Sequence, residues 1–191
     1  RKQNLEKFAK SNNTTLEKEP RDFHLQFNDY DFELFKSDET KISTNIIKLK
    51  KDEFELTYFE FSFETDKGKN SKTTEQSVVL IKTDYYLPKM FLTPKKIFKK
   101  HKKGFASITL LNHNIFLNNY ILECKEENSV RNIFLSNMIE YFENNKGFTV
   151  ETDKNLILVY KYDKTVLSGK PNIFINTGFN IAKLFKENVV S

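Results

Sequence analysis

The chain has 191 residues and a net charge of +5; 38% of its residues are hydrophobic and 30% are charged. With both charge signs mixed and 19 Phe and 8 Tyr to build a core, it is not a disordered polyelectrolyte. A single cysteine excludes a disulfide framework, and no run approaches the roughly 18 apolar residues of a membrane span.

A chain of this size hides roughly 70% of the surface that its unfolded form exposes, enough for one domain with a real core. In RKQNLEKFAKSNN, Leu5, Phe8 and Ala9 fall on one face, which predicts a short helix fraying at SNNTT, with LEKEPRD as a linker. From Phe23 to Leu92 the pattern is β: LQFNDYDFELF alternates, TKISTNIIKLKK follows, then FELTYFEFSFE. In that last run Phe54, Leu56 and Tyr58 share one phase, while Phe59, Phe61 and Phe63 take the other. The slip predicts a bulge, or a long bent strand that changes the face it buries. TDKGKNSKTTEQ reads as a polar hairpin loop and SVVLIKT as the returning strand of an antiparallel meander.

After TDYYLPKMFLTP, Pro94 suits the first turn of a helix over PKKIFKKHKK, anchored by Ile97 and Phe98 and ended by Gly104. FASITLL and NYILECK read as strands joined through NHNIFLN, with Cys124 a buried thiol at a strand end. SVRNIFLSNMIEYFENNKG predicts one helix, with Ser129 as N-cap, a stripe of Val130, Ile133, Phe134, Met138, Tyr141 and Phe142, and Gly147 past its end. FTVETDKNLILVYKY predicts a hairpin turning at Asp153 and Lys154. A last helix covers NIFINTGFNIAKLFKEN, with Phe174, Gly178, Ile181 and Phe185 on one side. The fold class is therefore α+β: an antiparallel meander, then strands, an amphipathic helix, a hairpin and a C-terminal helix. Residues 1–19 read as a helix and linker, and 20–188 as one domain with lobes divisible at 103/104.

Little in the sequence carries chemistry. His24, His101 and His113 are far apart, with no ligand at metal spacing. The acids of DYDFE (Asp29, Asp31, Glu33) alternate and would share a strand face, which favours a solvated face over a cation site. There is no phosphate-cradling glycine loop and no nucleophile elbow, and SGK at 168–170 lacks the upstream glycine of a P-loop. These patterns point to no catalytic residue, cofactor, metal or small-molecule substrate, and to a protein that is not an enzyme.

What remains is PKKIFKKHKK. Removing its six lysines from the net charge of +5 leaves −1, so the basic character is local. Lys95, Lys96, Lys99, Lys100, Lys102 and Lys103 are the candidate lipid- or polyanion-binding residues. A codon origin is the alternative, because a chain rich in Lys, Asn, Ile and Phe and poor in Gly, Pro and Trp is what an AT-rich genome writes. Nucleic-acid readers lean on arginine for bidentate contacts, and this chain has three: Arg1, Arg21 and Arg131. An anionic leaflet asks only for point charges, worth about 1 kcal/mol for each lysine near its surface. Membrane contact therefore leads, and nucleic-acid binding is the alternative.

The order of segments resembles a group of uncharacterised bacterial membrane-associated proteins allied to the DUF3137-like families. The likeness runs from Asn4 to Phe185 and rests on YFEFSF, LPKMFLTP and the strand-to-helix stretch FLNNYILECKEENSVRNIF. The resemblance implies a soluble α+β domain preceded by a transmembrane region, here upstream of Arg1, and brings no catalytic residues. It also implies a basic start (Arg1, Lys2, Lys7, Lys10) lying against the cytoplasmic face of the inner membrane, and a membrane surface or membrane protein as partner.

Overall fold

The computed structural model describes residues 2–36, 40–64, 72–97, 102–110, 112–165 and 171–190. The apolar alternations of the chain become one antiparallel sheet. Its strands are β1 (Leu16–Glu17), β2 (Lys41–Lys51), β3 (Phe54–Glu64), β4 (Thr73–Pro94), β5 (Ala106–Ser107), β6 (Tyr120–Cys124) and β7 (Thr149–Tyr160). The described strands run in the order β1-β2-β3-β4-β6-β5, with β7 paired to β4. The backbone of the fold is β4, 22 residues long. Its first half pairs with β3, from Thr73 opposite Glu64 to Lys82 opposite Glu55, and its last residues pair with β6. β7 follows it at both ends. The sheet thus joins strands from both halves of the sequence, and the α+β class read from the sequence holds.

Phe54, Leu56 and Tyr58 face a core shared with Val79 and Ile81, while Phe59 and Phe61 face a second core on the other side with Val78 and Leu80. β3 pairs with β4 without a register shift, so the phase change is no bulge in β3. It records a strand buried on opposite faces at its two ends. The bulge lies next door in β2, between Thr44 and Ile47, where Asn45 takes φ +54°. Burying Phe59 or Phe61 is worth about 1.5–3 kcal/mol each.

Helices cover the first face. α1 (Lys2–Ser11) inserts Leu5 and Ala9, as its apolar spacing predicts. α5 (Pro171–Val190) lays Phe174, Gly178, Ile181 and Phe185 inward, also as predicted. A Cβ on Gly178 would stand 2.8 Å from Val79 Cγ1, so only glycine admits this approach of helix to sheet. α2 (Asn114–Asn119), α3 (Glu127–Ile133) and α4 (Ser136–Asn144) complete the layer.

Several expectations are corrected. The single helix over 129–147 is two, broken at Phe134–Leu135. Phe134 stacks on Phe142 with centroids 6.2 Å apart, a contact that a continuous helix, with these residues about 12 Å apart along its axis, forbids. Ser129 lies inside α3, and Glu126 holds the N-cap position. Gly147 does take a left-handed φ of +90°. The predicted hairpin at Asp153–Lys154 is one strand, because both arms pair with β4 rather than with each other; Lys154, at φ +56°, marks the bend. NHNIFLN holds α2, and FASITLL contributes only the two residues of β5.

The stretch from Phe23 to Phe35 is not strand. It forms two 3₁₀ turns, Phe23–Phe27 and Glu33–Phe35, because Asn28, Asp29 and Asp31 favour turns over a ladder. Residues 23–36 make a strap across the second face, seating Phe23, Phe32, Leu34 and Phe35 on Phe59, Phe61, Leu156, Leu158 and Tyr160. Of the predicted basic helix over residues 94–103, the described residues show a 3₁₀ turn, Lys95–Ile97, after Pro94 closes β4 opposite Tyr120. Residues 98–101 and the hairpin loop at 65–71 lie outside the described residues.

Candidate functional site: a charged cluster beneath the strap

Phe91 of β4 stands opposite Glu123 of β6 on one side and Glu151 of β7 on the other. Directly opposed residues point to one face, so two carboxylates flank one ring on the second face. Lys89, two residues before Phe91, shares that face. The strap closes over this row.

Glu151 is the anchor, 1% exposed. Its Oε2 accepts the backbone N–H of Glu33 at 2.6 Å; its Oε1 accepts the N–H of Leu34 at 3.1 Å and the Tyr160 hydroxyl at 2.8 Å. Asp153 Oδ2 accepts the N–H of Asp31 at 2.7 Å. The β7 side chains thus take up backbone donors of the strap that no ladder satisfies. Lys89, 6% exposed, donates to the carbonyl of Asp31 with its ammonium 5.2 Å from the centre of the Phe32 ring. Lys154 donates to the carbonyl of Asp29 at 3.0 Å.

Ion pairs surround the anchor. Lys102 places Nζ 2.8 Å from Glu33 Oε2 and 3.7 Å from the centre of the Phe91 ring, and its backbone N–H donates to Glu123 Oε1 at 3.3 Å. Lys125 reaches Asp31 Oδ2 at 3.3 Å. Lys36 bridges Asp31 and Glu33, at 2.7 Å from the latter.

The electrostatics follow from burial and pairing. Burial lifts the Glu151 carboxyl above the usual range, against Lys89 and its hydrogen bonds, and it also lifts the Tyr160 phenol. Burial lowers the Lys89 ammonium despite Glu151, Asp153 and Asp31. For Asp31 and Glu33 burial pushes upward, but hydrogen bonds and charges from Lys36, Lys89, Lys125 and Lys102 win, and both carboxyls sit below the usual range. Chemically this is a lock: carboxylates and ammoniums hold one another and pin the strap.

Of the six lysines singled out from the sequence, Lys95, Lys96 and Lys103 are exposed, and Lys99 and Lys100 lie outside the described residues. Lys102 departs from the expectation of a solvated or lipid-facing charge. Its side chain is 13% exposed and turned inward onto Glu33, because the Phe91 ring and the acid together replace water. Asp31 and Glu33, expected on a solvated strand face, lie instead on the strap, part-buried and paired with lysines. The sequence reasoning missed Glu123 and Glu151. Their signal is an acid at an inward phase, in TVETD and ILECK, where alternate residues enter the core.

His24 is buried between Phe35 and Phe61, with Nδ1 3.0 Å from Ser43 Oγ. Burial, then Lys41, lowers its pKa. Cys124 is a buried core thiol whose pKa burial raises. Among the described residues no group of three or more His, Cys, Asp or Glu is placed to hold a metal, and no helix is long and apolar enough to cross a membrane. A groove of about 770 Å³ runs between α1, β2 and the start of α5, past Phe8, Lys48, Lys50 and Asn172. Lys51 at its edge donates to Asn176 Oδ1 at 3.0 Å and lies over the Phe179 ring.

No protein-family model and no curated protein matches the chain. Among solved structures it is similar to the mycobacterial trehalose monomycolate transport factor A, TtfA, with a TM-score of 0.67 and 11% identity over 98% of this chain and 93% of that one. The likeness shows a shared fold across nearly the full length of both.

Proposed function

We propose that this chain is a non-enzymatic module of a membrane-tethered bacterial protein, working through contacts with anionic lipid and with protein on the cytoplasmic face of the membrane. One observation carries the reading. The polar groups gathered at the centre of the second face are occupied with one another, whereas Lys95, Lys96 and Lys103 are exposed. Those three carry ammoniums alone, which suits a diffuse anionic surface better than bidentate readout. The similarity to DUF3137-like membrane-associated proteins supports a tether upstream. The shared fold with a protein titled a transport factor is compatible with a role at a membrane.

The test is co-sedimentation with phosphatidylserine-containing vesicles against pure phosphatidylcholine vesicles across a salt series. Binding to the anionic vesicles alone, weakening as salt rises, is expected. No binding, or salt-insensitive binding to both, removes the lipid reading. Steeply salt-dependent binding to oligonucleotides without vesicle binding would put nucleic acid in its place.

A further inference from the structure

One lysine of the basic segment, Lys102, turns to the strap, where Glu33 meets it. Lys102 Nζ lies 2.8 Å from Glu33 Oε2, and Lys125 Nζ lies 3.3 Å from Asp31 Oδ2. The first is the distance at which an ammonium meets a carboxylate or phosphate oxygen in a charge-assisted hydrogen bond, and the second is a longer ion pair. Next to Lys102 in the chain, Lys103 is exposed. Lys125 is half exposed, with Nζ 5.6 Å from the centre of the Phe105 ring. Two cations adjoining the proposed lipid-facing lysines are therefore already occupied by carboxylates of the same chain.

The polar attachment of the strap runs through side chains. Among the described residues, the hydrogen bonds from residues 23–36 to the sheet each use a side chain: Glu151, Asp153, Lys89, Lys154, Lys41, the Tyr30–Asn155 pair and the His24–Ser43 pair. No strand ladder ties residues 23–36 to the sheet, so the charged side chains of Asp31 and Glu33 and the backbone around them can loosen locally, while Phe23 and Phe35 stay seated in the second core.

We propose that Asp31 and Glu33 are an internal stand-in for the anionic headgroups of a bilayer, masking Lys102 and Lys125 until such a surface displaces them. This rests on the lipid-contact reading above and adds its regulation: the strap is an autoinhibitory contact. Displacement exchanges each carboxylate for a phosphate on the same ammonium. A fluid anionic surface presents many such groups at once beside Lys95, Lys96 and Lys103, so it competes by number.

The experiment compares the vesicle affinity of the wild-type chain with Asp31→Asn/Glu33→Gln. Both substitutions keep the backbone N–H groups that Glu151 and Asp153 hold, so they remove the mask and leave the anchor. A Glu19→Gln/Glu187→Gln variant has the same net charge and controls for the added positive charge. Each unmasked lysine is worth about fivefold in affinity, so freeing Lys102 and Lys125 should make the strap variant bind anionic vesicles about 25-fold tighter than this control. Adding Lys102→Gln and Lys125→Gln should cancel the gain, with Lys36→Gln present in every chain compared because Lys36 also pairs with both acids. A second measurement needs no variant: anionic vesicles should speed amide exchange at Asp31, Glu33 and Leu34 of the wild-type chain. If the wild type binds vesicles but the strap variant equals the control, or strap exchange is unchanged on binding, the masking idea is overturned and the lipid reading stands. If neither wild type nor variant binds, both are overturned.

Discussion

The Tyr160 hydroxyl donates a 2.8 Å hydrogen bond to Oε1 of Glu151, nine residues earlier in the same strand. A straight strand of nine residues spans about 30 Å, so β7 must curl for these side chains to meet. The curl centres on Lys154, at φ +56°, and β4 follows it with its own register shifts between Lys82 and Met90. This bend makes the second face concave and gives the strap its seat.

Glu151 should therefore be the most sensitive polar residue of the domain. Glu151→Gln keeps the volume but turns an amide N–H₂ toward backbone donors, leaves at least one of them unmet and removes the acid facing Lys89. We expect a loss of about 2–4 kcal/mol in urea unfolding, while Tyr160→Phe, which deletes one donor, should cost about 1 kcal/mol. Equal losses would mean that the strap does not depend on the carboxylate.

Gly178→Ala places a methyl 2.8 Å from Val79 Cγ1. Helix propensity favours alanine by up to about 1 kcal/mol, whereas overpacking costs about 1–3 kcal/mol. The contact is between packed elements, so net destabilisation is expected, and Val79→Ala should restore part of it in the double variant. A Gly178→Ala protein more stable than wild type would mean that helix and sheet can separate freely here.

Stability should fall on mild acidification in a way that reports His24. Its pKa is lowered in the fold from the ordinary 6.5, so the unfolded chain takes up the proton first. The stabilisation is complete above about pH 6.5 and is lost as pH falls through the folded value. Asp31 and Glu33, also lowered, add a second loss of the same sign below the ordinary carboxylate range. Glu151 is raised and acts oppositely, its contribution shrinking as pH rises through its folded value. Chemical denaturation at a series of pH values should show wild-type stability dropping just below pH 6.5, with the drop absent in His24→Phe. An unchanged drop in that variant would assign it elsewhere.

Much of this was legible from residues alone. α1, α5 and the α+β class follow from periodicity, since Leu5 with Ala9, and Phe174 with Phe185, repeat at helical spacing against a core. The two-faced burial of β3 was written in the phase change at Tyr58–Phe59, although a neighbour decides whether such a change is a bulge. The strap reads as a strand because Phe23, Leu25, Phe27 and Tyr30, Phe32, Leu34 alternate as a strand does; the turn preference of Asn28, Asp29 and Asp31 competes with that pattern, and the partners on β7 decide between them. The hairpin was misread because nothing local to Asp153 and Lys154 reveals that β4 is long enough to pair with both arms. The charged cluster is only half visible: the lysine segment and DYDFE stand out, but Glu123 and Glu151 lie 28 residues apart and come to one row only because Phe91 pairs with both.

The proposed membrane contact runs through the exposed lysines and not through the helical face that carries α1 and α5. Hydrogen exchange of the whole chain, with and without phosphatidylserine-containing vesicles, tests it most directly. The account predicts slowed exchange at Lys95–Ile97 and across residues 102–107, with α1 and α5 unchanged. Protection confined to α1 and α5, or none anywhere, would contradict it.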